Sequence, residues 1–315
     1  MPQTRHRPLL ILLAPAALLA AVWAYRMGGK PVVAHWPSIA PVAAVVASEP
    51  RLPNLPAHTP AEARAQVAAG LPVNRRAAFE GETDLYRYAQ QLAEAARRGD
   101  AEAGWMLSRV YDYCAAYAQD PAGYAADNTT LASHGNAAVA TMIEARQHLQ
   151  ARCNGFVAGD GLTAANILAQ RTQAAQAGNL AAEAALLSLG QPLVATAAYK
   201  RELVQRVLAS RDPEAYLALS GAMGVSARGD DAYRGYVAGD QFAQLAWQLA
   251  ACRLGLACGA ESNLMTSYCA NGGICSANAA QDFPDFVYDA AVPRQSADKM
   301  DEMINTLVSG TGVTS

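Results

Sequence analysis

Charged side chains are scarce in this chain. Asp, Glu, Lys and Arg make up 16% of its 315 residues, and aromatic residues 7%. A net charge of −3 beside a hydrophobic fraction of 52% excludes an intrinsically disordered chain, which needs low hydrophobicity and high net charge. The β-branched and aromatic residues that strands favour give way to Ala, which numbers 71, and this argues against a β-sandwich or barrel. Ala is the best helix former and loses no side-chain entropy in a helix. Composition therefore predicts an all-α protein. No GxSxG, HExxH, P-loop or dinucleotide-binding glycine pattern is present, so no hydrolase, metalloprotease or nucleotide chemistry is announced. No cofactor or metal is implied.

Acidic residues are missing before Glu49, and cysteines before Cys114. The second absence excludes a lipid-modified N-terminal Cys. What stands there instead is Arg5 and Arg7, an apolar run from Leu9 to Tyr25 broken only by Pro15, then Arg26 and Lys30. A positive region before an apolar core is a secretory signal. As a helix, residues 9–25 span about 25 Å, slightly short of the hydrocarbon core. Cleavage after Ala24, with Val22 two residues before it, fits the pattern. So does an uncleaved inner-membrane anchor with Trp23 and Tyr25 at the far interface. The expectation is residues 1–27 as signal peptide or signal anchor, with the remainder in the periplasm.

Six cysteines follow: Cys114, Cys153, Cys252, Cys258, Cys269 and Cys275. An even count in an exported chain reads as disulfides, with 15 possible pairings. The last four form two C-x5-C units, which favours the local pairs Cys252–Cys258 and Cys269–Cys275 and leaves Cys114–Cys153. Crossed pairing, Cys252–Cys269 with Cys258–Cys275, competes with it. A four-cysteine zinc site is disfavoured, because structural zinc ligands are usually spaced by two to four residues.

Residues 28–60 hold Pro31, Pro37, Pro41, Pro50, Pro53, Pro56 and Pro60 among Ala and Val. Proline removes backbone donors and disfavours helix in its neighbour, so this zone reads as an extended tether. Residues 61–290 read as a helical body and 291–315 as a polar tail with one short helix, 297–308. Residues 61–315 carry 19 basic and 26 acidic side chains, a net −7, which disfavours nucleic acid and anionic lipid as partners.

A pattern recurs within the body. Ala95-Ala96 precedes Gly99-Asp100, Ala103, Leu107 and Tyr111; Ala174-Ala175 precedes Gly178-Asn179, Ala182 and Leu186; Asp212, Ala215 and Leu219 repeat it with Arg211 in the glycine position. Physically this is a helix–turn–helix pair. One helix ends at a glycine that turns left-handed cheaply. Asp or Asn caps the next helix, and Pro213 sits where a first-turn proline is tolerated. Ala and Leu four apart share the face on which the two helices meet.

The segment from Ala95 to Tyr111 resembles a Sel-like repeat, a relative of the tetratricopeptide repeat, and the segments around Gly178 and Asp212 resemble it in part. The resemblance implies an all-α solenoid of α/α hairpins whose members mostly bind other proteins. At the C-terminal end, 242–256 and 262–268 read as two short helices clipped by disulfides, a stapled terminal unit. Asp282-Phe283-Pro284-Asp285-Phe286 reads as an extended segment leaving it.

Candidate chemistry is thin. Of five histidines only His134 and His148 lie in the body. Glu261-Ser262-Asn263-Leu264-Met265-Thr266 is similar to the Glu-Ser-Gly-Leu-Met-Gln-like signature of lytic transglycosylases, with Asn263 and Thr266 departing from it. That likeness implies Glu261 as a general acid on peptidoglycan, provided it lies in an apolar pocket. Glu80, Glu82 and Asp84 read as a first helical turn. Tyr111, Tyr113, Tyr117 and Tyr124 form a candidate interaction surface, tyrosine being enriched at interfaces; packing inside the bundle is the other reading. Together these features predict a non-catalytic protein–protein interaction or scaffold module with an unidentified envelope partner. A peptidoglycan enzyme using Glu261, or a small-molecule or glycan site in the solenoid groove, are the alternatives.

Overall fold

Local capping chemistry decides where the helices start. The computed structural model describes residues 74–135 and 137–310, and among them there are thirteen α-helices and no strand. Asn74 caps α1 (Arg75–Gly81) and Asp84 caps α2 (Leu85–Arg97). Asp100 caps α3 (Ala101–Gln119), its carboxylate accepting from the Ala103 N–H at 2.9 Å. Asn179 does the same for α7 (Leu180–Ser188) through the Ala182 N–H at 2.9 Å. Each side chain satisfies one of the donors that a helix start leaves orphaned.

The turns before these caps are alike. Gly99 sits at φ +90° and Gly178 at φ +94°. After each, a backbone bond reaches back five residues, Asp100 N to Ala95 O and Asn179 N to Ala174 O, the closure that a left-handed glycine allows. Gly99 thus joins α2 to α3, and Gly178 joins α6 (Ala164–Gln176) to α7. The third pair, α8 (Ala197–Ser210) and α9 (Pro213–Met223), turns at Arg211, which holds φ 53° without being glycine. Asp212 caps α9. Ala103, Leu107, Ala182, Leu186, Ala215 and Leu219 are all buried, and Ala96 packs against the core.

Packing runs along a line. α3 lies between α2 and α6, α6 packs on α7, and α7 packs on α9. α9 then packs on α10 (Gln241–Arg253), and α10 on α13 (Ala297–Val308). Between the first two hairpins, α4 (Pro121–Ala132) and α5 (Ala137–Cys153) form an extra pair, tied to α3 by Cys114–Cys153. Cys252–Cys258 closes the end of α10. α11 (Asn263–Thr266) runs straight into a π-helical turn, Ser267–Asn271, and Cys269–Cys275 clips it. The local pairing is the one formed, so no cysteine is left to ligate zinc. Trp105, Trp247, Tyr88, Tyr216, Phe79 and Phe283 are the large fillers among the alanines.

Three sequence expectations need correction. The segment at Phe283 is not extended: Asp282 caps α12 (Phe283–Ala291), Pro284 falls in its first turn, and Phe283 is fully buried. The polar tail is part of the body, because Met300, Ile304 and Leu307 of α13 lie on one face and are buried. The acidic run is not one first turn. Glu80 lies in the last turn of α1, Glu82 follows that helix, and only Asp84 caps a helix start.

Candidate functional site

α3 presents Trp105, Arg109, Asp112, Ala116 and Gln119 along one face, at steps of three and four residues. These residues form one wall of a groove of about 600 Å³. Phe79 of α1 and Arg171 of α6 extend that wall. The other lining residues are mostly aliphatic: Ala185 and Leu189 from the end of α7, with Ser188 between them, Leu217 and Ala218 from α9, and Leu264 of α11. Ser267 and Asn271 of the π-helical turn line it as well, and π-turns recur at functional sites because they re-aim side chains.

Two arginines dominate the electrostatics. Arg109 donates to the carboxylate of Glu214, which is 3% exposed. Arg171 donates to Asp112 Oδ2 at 2.7 Å, with the Asp112 side chain 58% exposed. Trp105 lies between them, its ring centroid 5.7 Å from the Arg109 guanidinium carbon and 5.9 Å from that of Arg171. Among the described residues two buried N–H groups here have no acceptor: Trp105 Nε1 and Arg171 Nε. Tyr113 Oη makes no bond of good geometry either, although Arg152 and Thr266 lie close enough to moderate the upward pKa shift that burial imposes on its phenol. An unsatisfied buried donor costs on the order of 1–3 kcal/mol, and such groups are rare in folded proteins.

Behind the groove lies a second polar layer. Glu80 Oε2 accepts from the Asn263 N–H at 2.9 Å. Burial raises its carboxyl above the usual carboxylate range, with that N–H, Arg109 and Arg152 pulling it down and Glu214 adding to the rise. Arg152, 5% exposed, donates to the carbonyls of Phe79 and Glu82 and to Asn263 Oδ1.

The residues singled out from sequence fall elsewhere. Tyr113, Tyr117 and Tyr124 are buried, so they fill the core rather than a surface, and only Tyr113 also lines the groove. Tyr117 and Tyr124 meet edge to face at 5.6 Å. Tyr111 is half-buried, its ring edge-on to Phe156 at 6.2 Å. Glu261 is exposed, on a hollow of about 270 Å³ that it shares with Glu144, His148 and Gln281. The hollow mixes polar side chains with Ala145, Ala260, Met265 and Ala279, and the exposure of Glu261 departs from the enclosed apolar pocket that the likeness required. His134 lies in a turn. The apolar segment 9–25 and the tether 28–60 lie outside the described residues. Among the described residues no helix is long and apolar enough to cross a membrane.

Sequence reasoning missed Trp105, Arg109, Asp112 and Arg171. A faint signal existed: Arg109 and Asp112 interrupt an otherwise apolar repeat helix on the same face as Trp105. Their meeting with Arg171, 59 residues after Asp112, is not a local property. No protein-family model matches the chain, and no curated protein or solved structure matches it.

Proposed function

We propose that this chain is a non-catalytic binding and scaffold module of the bacterial envelope. It is exported through its N-terminal segment and held by residues 9–25 at the inner membrane, with residues 28–60 as tether. Its three hairpins are read as a short Sel-like solenoid. They share the turn, the cap and the buried Ala–Leu pair, and each packs on the next. The observation that carries the binding role is the groove at their junction, mostly aliphatic residues beside a wall with unsatisfied donors. Export is supported by three disulfides, which persist in oxidising compartments. The partner on this reading is a segment of another envelope protein, and no cofactor takes part.

Site-specific photocrosslinking in cells tests it. The crosslinker replaces Gln119 or Leu189, both exposed on the groove, or Glu302, exposed on α13. A discrete adduct from the first two positions and not the third is the expected result. No adduct from the groove, or the same adducts from all three, would overturn the reading.

A further inference from the structure

We infer that Asn154 is a site of spontaneous conversion to aspartate and isoaspartate, and that Asn271, in the same dipeptide, is held back by the π-helical turn. Asn154-Gly155 and Asn271-Gly272 are the two Asn-Gly pairs of the chain. In such a pair the glycine nitrogen attacks the asparagine side chain readily, because no Cβ obstructs the approach. The new N–Cγ bond closes a five-membered imide, the Cγ–Nδ2 bond breaks, and the amide proton leaves within ammonia. Water then opens the imide at either carbonyl. One water is consumed and one ammonia released, and the step needs no oxidant or cofactor.

The two pairs share this chemistry but not its geometry. Asn154 is exposed and follows the last residue of α5, and Gly155, also exposed, stands at φ +118°. The fold holds a glycine there: besides the positive φ, a Cβ would lie 3.0 Å from Tyr86 Cβ. Asn271 instead ends the π-helical turn. The Gly272 N–H donates to Ser267 O at 3.1 Å, and Gly272 keeps helical angles, φ −90° and ψ −14°. A nitrogen engaged as a donor holds its proton, and helical backbone keeps it away from the side-chain carbonyl carbon. Cys269–Cys275 clips that turn, so Asn271 reacts only when the turn opens. The shield also keeps a new carboxylate out of the groove, because Asn271 lines it.

The test is incubation of the full-length, disulfide-bonded protein in detergent at mildly alkaline pH. Peptide mapping by mass spectrometry reads the mass gain at each site and separates isoaspartyl from asparaginyl peptides. Asn154 is expected to convert at least about tenfold faster than Asn271, whose chemistry waits on local opening. Unfolding in urea with the disulfides reduced should bring the two rates together. Cys269→Ser combined with Cys275→Ser should speed Asn271 and leave Asn154 unchanged, in a protein that circular dichroism shows to be still helical. Equal rates in the folded wild type, or faster conversion at Asn271, would overturn the inference. So would a difference that persists in urea, which would trace it to neighbouring residues and not to the fold. An unchanged Asn271 rate in the folded double variant would overturn the role of the clip. If that variant loses its helices, the contrast within the wild type decides alone.

Discussion

Arg152→Met should destabilise the fold by about 3–4 kcal/mol, and the reason is visible bond by bond. α1 is a short helix, and carbonyls at its C-terminal end have no partners within it. They also carry the negative end of the helix dipole. Arg152 reaches two of them from α5, donating through Nε to Glu82 O at 2.8 Å and through Nη2 to Phe79 O, while Nη1 donates to Asn263 Oδ1. In the Met variant Phe79 O keeps a donor, because Asn263 Nδ2 lies 3.0 Å away. Glu82 O loses the Arg152 bond, and Asn263 Oδ1 is stranded. Two such losses at about 1–3 kcal/mol each set the magnitude, and the flexible thioether refills most of the volume. Arg152→Lys should cost less, about 1–2 kcal/mol, since one ammonium reaches only part of the set. The assay is urea unfolding followed by far-UV circular dichroism at neutral pH with disulfides intact, requiring an unchanged m value. A loss below about 1 kcal/mol in the Met variant would refute the argument. It would mean that the cost of burying the cation cancels its bonds.

The other predictions follow from equally local features. Replacing Cys114 and Cys153 together by Ser frees a loop of sequence separation 39 and should lower stability by about 4 kcal/mol in the chain-entropy model, read as a shift in urea midpoint. Gly99→Ala and Gly178→Ala should each cost about 1 kcal/mol because both glycines stand at positive φ. Arg211→Gly frees the same turn position but gives up the bond from Arg211 Nη1 to the Val308 carbonyl, so it should cost less than either alanine variant by the same assay, and a loss as large as theirs would contradict the turn argument. Burial raises the Glu80 carboxyl, so its contribution to stability is fully present below the ordinary carboxylate pKa and is lost as pH rises through the higher native value. Glu80→Gln keeps an oxygen for the Asn263 N–H without the charge. It should therefore unfold at higher urea than wild type at neutral pH, with the advantage shrinking toward about pH 4; an advantage independent of pH would show that Glu80 does not titrate as argued.

What the sequence disclosed was what a few neighbouring residues decide. Asp100, Asn179 and Asp212 each announce a helix start, and the residue before each marks a turn. Arg211 shows that the register survives the loss of glycine, because the hairpin's buried Ala215 and Leu219 hold it there. Pro284 misled for a related reason: proline breaks a helix interior but is tolerated in a first turn, and the choice hinged on Asp282 acting as cap. The tyrosines misled because spacing reveals a shared face and not what that face meets. Tyr113 and Tyr117 are one turn apart on α3, and that side turns out to face α1, α4 and α5. The groove was the least legible part. Its polar residues come from α3, α6 and the π-helical turn and its aliphatic ones from α7, α9 and α11, so no single stretch of sequence contains the pattern.

The alanine content and the disulfides are two sides of one design. A buried Ala lets helices approach closely but removes little apolar surface from water, roughly a third of what a buried Leu removes. An Ala-rich body therefore gains less from burial than its length suggests, and it has little reserve with which to hold unsatisfied donors on a groove wall. Two of the three staples fall where that reserve is needed; Cys252–Cys258 instead closes the end of α10. Cys114–Cys153 fixes α3, which presents Trp105 and Arg109, against α5, which carries Arg152; Cys269–Cys275 fixes the π-helical turn that offers Ser267 and Asn271. On this argument reduction should open the groove side before it melts the array from α9 to α13. Hydrogen exchange under mild reductant should show amides of α5 and residues 267–275 losing protection first, while those of α9 and α10 stay protected. Simultaneous loss in both regions would mean that the staples stabilise the body as a whole and do not serve the groove.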